Sequence, residues 1–336
     1  MKHQRRHRHF VAKKGSKTMD ITAAQVKQLR DRTGSGVMAC KKALADAEGN
    51  MDAAIDILRK NGQKLVENRI QRVAAEGLCL IANDGIRKAA IVEVNTETDF
   101  AAQNDKFRTF ASAVAGQALK TKTQDLPSFM DEPWHKDPAM TVREALAEIT
   151  SVIREKISIR RFEQVTAKDG CVVTYLHDKG RIGVIVDAKT AVVNDDIKKA
   201  LTNVAMQVAA MSPRYISMDD VPKDFKQHEK EILLAQAVEE NNRFPRSKRK
   251  PRGIIEIMVE GRLNKELKQL CLCDQVYIRA EDGRQTVAQY LQQVGEANGT
   301  DISIRRFIRY ETGEGIEKKQ ENFAKEVMAQ TRSITD

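Results

Sequence analysis

The sequence predicts an α+β fold. Its core has two related halves, each an antiparallel sheet backed by helices. A three-helix domain precedes the core, and an antiparallel helical hairpin interrupts the second half. Three observations lead there. The hexapeptide ISIRRF occurs twice, at 157–162 and 302–307. Each copy follows the same order of a hairpin-like pair of apolar runs and a helix-like run. The helix segments SAVAGQA and AMQVAAM lie 94 positions apart (Val114 to Val208), whereas the hexapeptides lie 145 apart (Ile157 to Ile302), so the second half holds about 50 extra residues.

Taken in order, residues 1–18 hold seven Lys or Arg, no acid and three of the six histidines. A block of this kind is expected to be disordered, and it reads as an RNA-touching arm, an upstream-start artefact or a presequence. Residues 19–63 read as three short helices. Ala23 to Arg32 carries Val26 and Leu29 inward and is broken by Thr33-Gly34-Ser35-Gly36. Val37 to Ala47 follows, then Met51 to Lys60, started by Gly49-Asn50 and closed by Gly62. Residues 64–75 suit a polar helical linker.

The first half of the core spans 76–165. Leu78 to Ile81 turns at Asn83-Asp84-Gly85 into Ala89 to Val94, a hairpin signal. A helix to about Leu119 comes next. Residues 121–141, with Pro127, Pro133, Pro138 and the lone Trp134, read as loop, and Val142 to Glu155 reads as helix. The second half spans 166–218 and 269–309, with a hairpin on either side of His177 to Gly180 and a helix over Asp195 to Met211. The insertion, 219–268, consists of Asp224 to Asn241 and Ile254 to Leu270. Phe225, His228, Ile232, Ala235 and Val238 would face Ile255, Met258, Val259, Leu263 and Leu267 across a coiled-coil hairpin. Its tip, 243–252, has six Lys or Arg in ten residues. Residues 310–336 form a C-terminal module whose last helix covers Asn322 to Thr331.

The net charge of +10 falls to +3 once residues 1–18 are set aside, so the body is only mildly basic. Nucleic acid is therefore not expected as a partner except through residues 1–18 and 243–252, which would make an RNA-binding or assembly protein the alternative function. No run of 18 apolar residues exists, and no membrane partner is expected. Five cysteines without a CxxC pair suggest neither a disulfide framework nor a zinc site, and a reducing compartment.

The stretch EVNTETDFAAQNDKFRTF, 93–110, joins a strand to a helix. Two readings are open for Thr98-Asp99-Phe100. Thr98 or Asp99 caps the helix while Phe100 enters the core, or Phe100 projects as an anchor for a partner. The matching turn of the second half, Lys189 to Asn194, has no aromatic residue, which favours projection. Chemistry is sparse. Beyond residue 18 only His135, His177 and His228 occur, far apart, with no HExxH or GxSxG. Neither Gly15-Ser16-Lys17-Thr18 nor Gly313-Glu314-Gly315 completes a phosphate or dinucleotide loop. An enzyme would need catalytic groups gathered by the fold. No catalytic residue, metal ligand or resident cofactor is expected.

Five segments in this order resemble the bacterial elongation factor Ts family, from about Met19 to Gln330. They are Leu29 to Leu44 (LRDRTGSGVMACKKAL), Glu93 to Phe100 (EVNTETDF), His177 with Arg181 to Val184, Val259 to Arg262 and Gly313 to Glu317. The resemblance implies an exchange factor for the GTPase elongation factor Tu, acting in the cytoplasm on the partner's Mg2+ and GDP. It implies that the three helices are of the ubiquitin-associated type, and that the Thr98-Asp99-Phe100 turn inserts near the partner's magnesium site. Contact roles follow for Thr98, Asp99, Phe100, Asn104, His177, Lys41, Arg30 and Met38. Ala101 and Gln103 stand where relatives usually carry valine and lysine.

Overall fold

The computed structural model of the chain describes residues 21–317. The basic segment 1–18 and the expected helix at Asn322 to Thr331 lie outside them.

Three helices open the described chain: α1 (Ala23–Thr33), α2 (Val37–Asp46) and α3 (Met51–Arg69). Thr22 and Gln25 form a capping box on α1, and Gly34 ends it at φ 66°, a left-handed conformation that favours glycine. Asn50 caps α3 by accepting from the N–H groups of Asp52 and Ala53. Leu29, Cys40, Ala43, Leu44 and Ala54 close a small core between them. The expected stop at Gly62 is overturned, because α3 runs on to Arg69. A Cβ at Gly62 would lie 2.9 Å from the carbonyl oxygen of Ala147. Glycine here admits another helix at close range rather than ending its own, so the boundary drawn at 63/64 falls inside a helix.

The first half follows as β1 (Glu76–Asn83), β2 (Lys88–Thr96), α4 (Asp99–Gln103), α5 (Asp105–Lys120), α6 (Leu126–Asp131), β3 (Pro133–Trp134), β4 (Asp137–Thr141), α7 (Val142–Ile153) and β5 (Ile157–Thr166). The loop expected over 121–141 is corrected: it contains α6 and a two-stranded ribbon, β3 with β4. Asp125 caps α6 and Pro127 sits in its first turn, where a missing N–H costs nothing. Trp134 is buried against Phe110, with ring centroids 5.8 Å apart.

The second half contains β6 (Cys171–His177), β7 (Ile182–Lys189), α8 (Asp195–Met211), the hairpin α9 (Lys223–Asn242) and α10 (Arg252–Leu270), then α11 (Val287–Ala297) and β8 (Ser303–Glu311). The duplication is borne out in topology. The sheets are β1-β2-β5 and β6-β7-β8, both antiparallel. They pack face to face through Cys79, Ile91, Val165, Val172, Ile185 and Ile308. Helices α5 and α7 cover the outer face of the first sheet, and α8 covers the outer face of the second. Central strand β2 is therefore buried on both sides, Ala90, Val92 and Val94 toward the helices and Ala89 and Ile91 toward the other sheet.

Both arginines of ISIRRF sit on a β-bulge in each copy. In the first, the register between β2 and β5 shifts after Glu93, leaving Arg160 as the extra residue. Arg160 and Arg161 both reach the buried Glu93, at 2.9 and 2.6 Å. In the second, the register between β7 and β8 shifts after Asp187 and leaves Arg305 as the extra residue. Arg305 pairs with buried Asp187 at 3.3 Å, while Arg306 turns to Glu163 on β5.

In the hairpin, Ile255, Val259, Leu263 and Leu267 of α10 are buried as expected, but Met258 is exposed. The stripe expected on α9 is corrected. Leu233 is its buried residue, with Phe225, Leu234 and Ala237 partly so, while His228, Ile232, Ala235 and Val238 face outward. The adjacent Ile232, Leu233 and Leu234 permit two helical registers, and the α10 ridge selects the one through Leu233. Helix α11 is absent from the sequence-based expectations altogether.

Candidate functional site

The site grows from the end of β2. Thr98 takes an extended conformation and caps the five-residue α4, its Oγ1 accepting from the N–H of Ala101 at 3.2 Å. The same hydroxyl donates to Glu155 Oε1 at 2.8 Å. Glu155 Oε2 accepts from the Thr98 N–H and from Thr96 Oγ1, each at 3.0 Å. Asp99 Oδ1 accepts from the N–H of Phe100. Asn104 ends α4 and caps α5 through the N–H of Lys106.

Helical geometry decides where Phe100 points. Ala101 and Ala102 are buried, with Ala102 in the core under β1 and β2. Their methyl groups fix the inner face of α4, so the preceding residue faces out, and Phe100 is 83% exposed. Of the two readings, capping belongs to Thr98 and projection to Phe100. A solitary exposed aliphatic side chain is ordinary, whereas a phenyl ring displayed on a helix of five residues is not needed by the core.

A groove of about 450 Å³ separates α4 from the β6–β7 turn, with Asp99, Gln103 and Arg108 on one wall and Asp178, Lys179 and Arg181 on the other. The turn is strained, since Asp178 and Lys179 hold φ of 46° and 54° without being glycine. Gly180 follows at φ 104°, and a Cβ there would lie 2.9 Å from the Cys79 carbonyl oxygen. His177 precedes the turn, is exposed, and its Nδ1 lies 2.9 Å from Tyr175 Oη.

Three predicted residues lie elsewhere. Met38 is 74% exposed on the first turn of α2, beside exposed Val37 and one turn before exposed Lys41. Cys40, Ala43 and Leu44 take the inner face, which leaves 37, 38 and 41 outward. Arg30 is exposed near the end of α1. The eight predicted residues thus form the α4 turn (Thr98, Asp99, Phe100, Asn104), His177 one residue before Asp178 of the facing wall, and a separate α1–α2 face. No hydrogen bond or ion pair among the described residues joins that face to the turn. Sequence reasoning missed Glu155, placing it at the end of a helix that stops at Ile153. Its signal is faint, because a carboxylate distant by 57 positions from Thr98 marks nothing in the chain.

His177 lines neither the groove beside α4 nor the cleft between the three helices and the core. A cleft of about 790 Å³ between the three helices and the core is lined by Arg59, Phe110, Trp134, Met140 and Glu148 among others, without a histidine. Burial there pushes the Glu148 carboxyl up, partly offset by Arg59. Among the described residues no three His, Cys, Asp or Glu side chains group to hold a metal, and no helix is long and apolar enough to cross a membrane. At the basic hairpin tip, Arg243 pairs with Glu239 and Arg252 with Glu256. Arg249 donates to the carbonyls of Asn242 and Phe244. Half of the six cations are thus committed to holding the hairpin's own shape.

Among the described residues Phe100 and Met38 are the two most exposed large apolar side chains, and they stand at two separate points of the duplicated scaffold and its leading helices. The family model for Elongation factor TS matches residues 97–314. The chain is 44% identical to elongation factor Ts of Clostridioides difficile (strain 630), over 93% of this chain and 99% of that one. It is 39% identical to the protein of the same name from Clostridium novyi (strain NT), over 92% and 98%, and 38% identical to that of Clostridium tetani (strain Massachusetts / E88), over 92% and 99%. The chain belongs to the elongation factor Ts family.

Proposed function

We propose that the chain is the guanine-nucleotide exchange factor of elongation factor Tu: it binds the GDP-loaded GTPase, promotes GDP release and stays bound until GTP loads. The observation that carries this reading is Phe100, 83% exposed on a short helix whose other side is anchored in the core. A GTPase holds its nucleotide through phosphate-loop N–H groups and a magnesium ion that bridges phosphate and protein. A rigid ring pushed in behind that site displaces those groups. Metal and nucleotide are the partner's, and this chain supplies neither a bond-making group nor a cofactor. The proposed place of action is the cytoplasm, where translation runs.

Energetics define what else is needed. Burying one phenyl ring contributes about 1.5–3 kcal/mol, roughly 10- to 150-fold in an equilibrium. That is too little to empty a tight nucleotide site alone. The α2 face with Val37, Met38 and Lys41 supplies the second attachment, which holds the ring in place. Linkage makes the effect reciprocal: a factor that weakens GDP binding is itself weakened by GDP to the same degree. The test loads elongation factor Tu with fluorescent GDP and adds this protein with excess unlabelled nucleotide. Accelerated fluorescence decay is expected, and release at the intrinsic rate would overturn the reading.

A further inference from the structure

We propose that Glu155 is the positioning residue of the Phe100 turn, its carboxylate holding Thr96 and Thr98 so that α4 presents the ring in one orientation. The proposal rests on the exchange reading for its consequence, but its geometry is independent of it. Both carboxylate oxygens are spent on a single segment: Oε1 on the Thr98 hydroxyl, Oε2 on the Thr98 N–H and the Thr96 hydroxyl. None of these bonds is needed to finish a secondary-structure element. Helix α7 is already closed by Arg154, which turns left-handed at φ 64° and donates its N–H to Thr150. Helix α4 is already capped by Thr98 itself.

The neighbouring residue grips the same segment. The N–H of Lys156 donates to Glu97 Oε1, and Glu97 also pairs with Arg72 at 3.1 Å. Lys156 Nζ donates to the carbonyl oxygens of Ile70 and Arg72, both at 2.7 Å. Residues 96–98 are therefore clamped along their length by 155–156, and 156 is in turn clamped to the chain leaving α3. A five-residue helix has too few internal hydrogen bonds to hold a fixed direction by itself. An acceptor with both oxygens engaged adds to buried Ala101 and Ala102 in holding that direction.

The experiment reads the turn in two ways. Amide hydrogen exchange by NMR on the whole chain should show the protection of Thr98 to Gln103 falling about tenfold or more in Glu155→Ala, with β2 unchanged, because three bonds to a charged acceptor are removed. Glu155→Gln, which keeps the shape and one carbonyl acceptor, should restore part of it and serves if the alanine variant folds poorly. In the fluorescent-GDP assay, Glu155→Ala should lower the maximal release rate about tenfold and leave the half-maximal concentration within about twofold. In a Phe100→Ala background the same change should cost less than about twofold, since its effect passes through the ring. Unchanged protection at 98–103, or an equal loss in both backgrounds, would overturn the proposal. If the unaltered protein does not accelerate GDP release, the exchange reading fails alone, and amide protection still decides the role of Glu155.

Discussion

The two halves of the core share sheet order, bulge position and covering helix, yet they differ at the turn from central strand to helix. In the first half residues 97–104 join β2 to α5, hold the extra helix α4 and display Phe100. In the second, residues 190–194 join β7 to α8 with no added element. Thr190 is buried there and bonds with Thr300, and Asn194 caps α8 while reaching Asn298. One turn is closed on its own subdomain, and the other is opened and braced by Glu155. A duplicated scaffold carries two equivalent turns at no added cost in folding rules, so one is free to be elaborated while the other keeps its structural duty.

The bulge carboxylates show the same divergence. Burial opposes the charge of Glu93, but the Gly313 N–H, Arg160, Asn95 and Arg161 together outweigh it and hold its pKa below the ordinary range. Burial also opposes the charge of Asp187, and Arg305 does not fully offset it, so that carboxyl is pushed up. Glu93 also ties the first sheet to the Gly313 turn, by a 2.8 Å bond that Asp187 has no counterpart for among the described residues.

The largest expected effect breaks this pairing. Glu93→Ala leaves Arg160 and Arg161 facing an emptied site and should cost about 3–5 kcal/mol, read as a lower midpoint in urea. Asp187→Ala should cost clearly less. An equal loss would mean that the two bulges are equivalent after all. Next comes Phe100→Ala, which should slow stimulated GDP release about 10- to 150-fold while leaving the urea midpoint in place, because the ring touches little of its own fold. A shifted midpoint would return Phe100 to the core.

A smaller effect concerns pH. Glu93, depressed in the folded state, contributes stability that is present above its unfolded value of about 4.3 and lost as pH falls through its folded value. Asp187 is raised, so its contribution is present below about 3.9 and lost as pH rises through its folded value. Glu93→Gln should therefore flatten the acid limb of stability against pH, and Asp187→Asn should steepen it. Matching slopes in thermal melts carried from below to above pH about 4 would contradict the opposed shifts. Least of all, Val193→Ala in the closed turn should move stability by about 0.5 kcal/mol or less and exchange not at all. A slowed exchange would make the closed turn a contact as well.

Legibility in the sequence followed the physical reach of each signal. The repeat was readable because ISIRRF is short-range and identical, although why the arginines recur became clear only with the bulges they occupy. Short apolar runs bounded by turn residues located β1, β2, β6 and β7, whose neighbours along the chain are their partners in the sheet. Gly62 misled because a glycine that admits another helix and one that ends its own look alike in one dimension; the Ala147 carbonyl that separates the two cases is 85 residues away. Pro127 read as a loop marker although it sits in the first turn of α6. Helix α11 went unread despite the capping box of Thr286 and Gln289. Its apolar face is narrow, with Val287 and Leu291 buried beside Gly295. At the site, Phe100 was legible by its absence from the second half, whereas Glu155 was not, since its role exists only across a fold-made contact.

The unbroken passage of α3 through Gly62 has a consequence for affinity. A flexible joint there would let the α2 face and the Phe100 turn dock as two independent modules, each paying its own entropy of capture. Under the proposed exchange role, a continuous helix laid on α7 would make them a bidentate ligand of set span. Once one end is seated, the other meets its site at an effective concentration in the order of millimolar or above, provided the spacing matches. Two attachments would then act as one under that proposal, and a partner whose sites are spaced differently would be rejected by geometry alone.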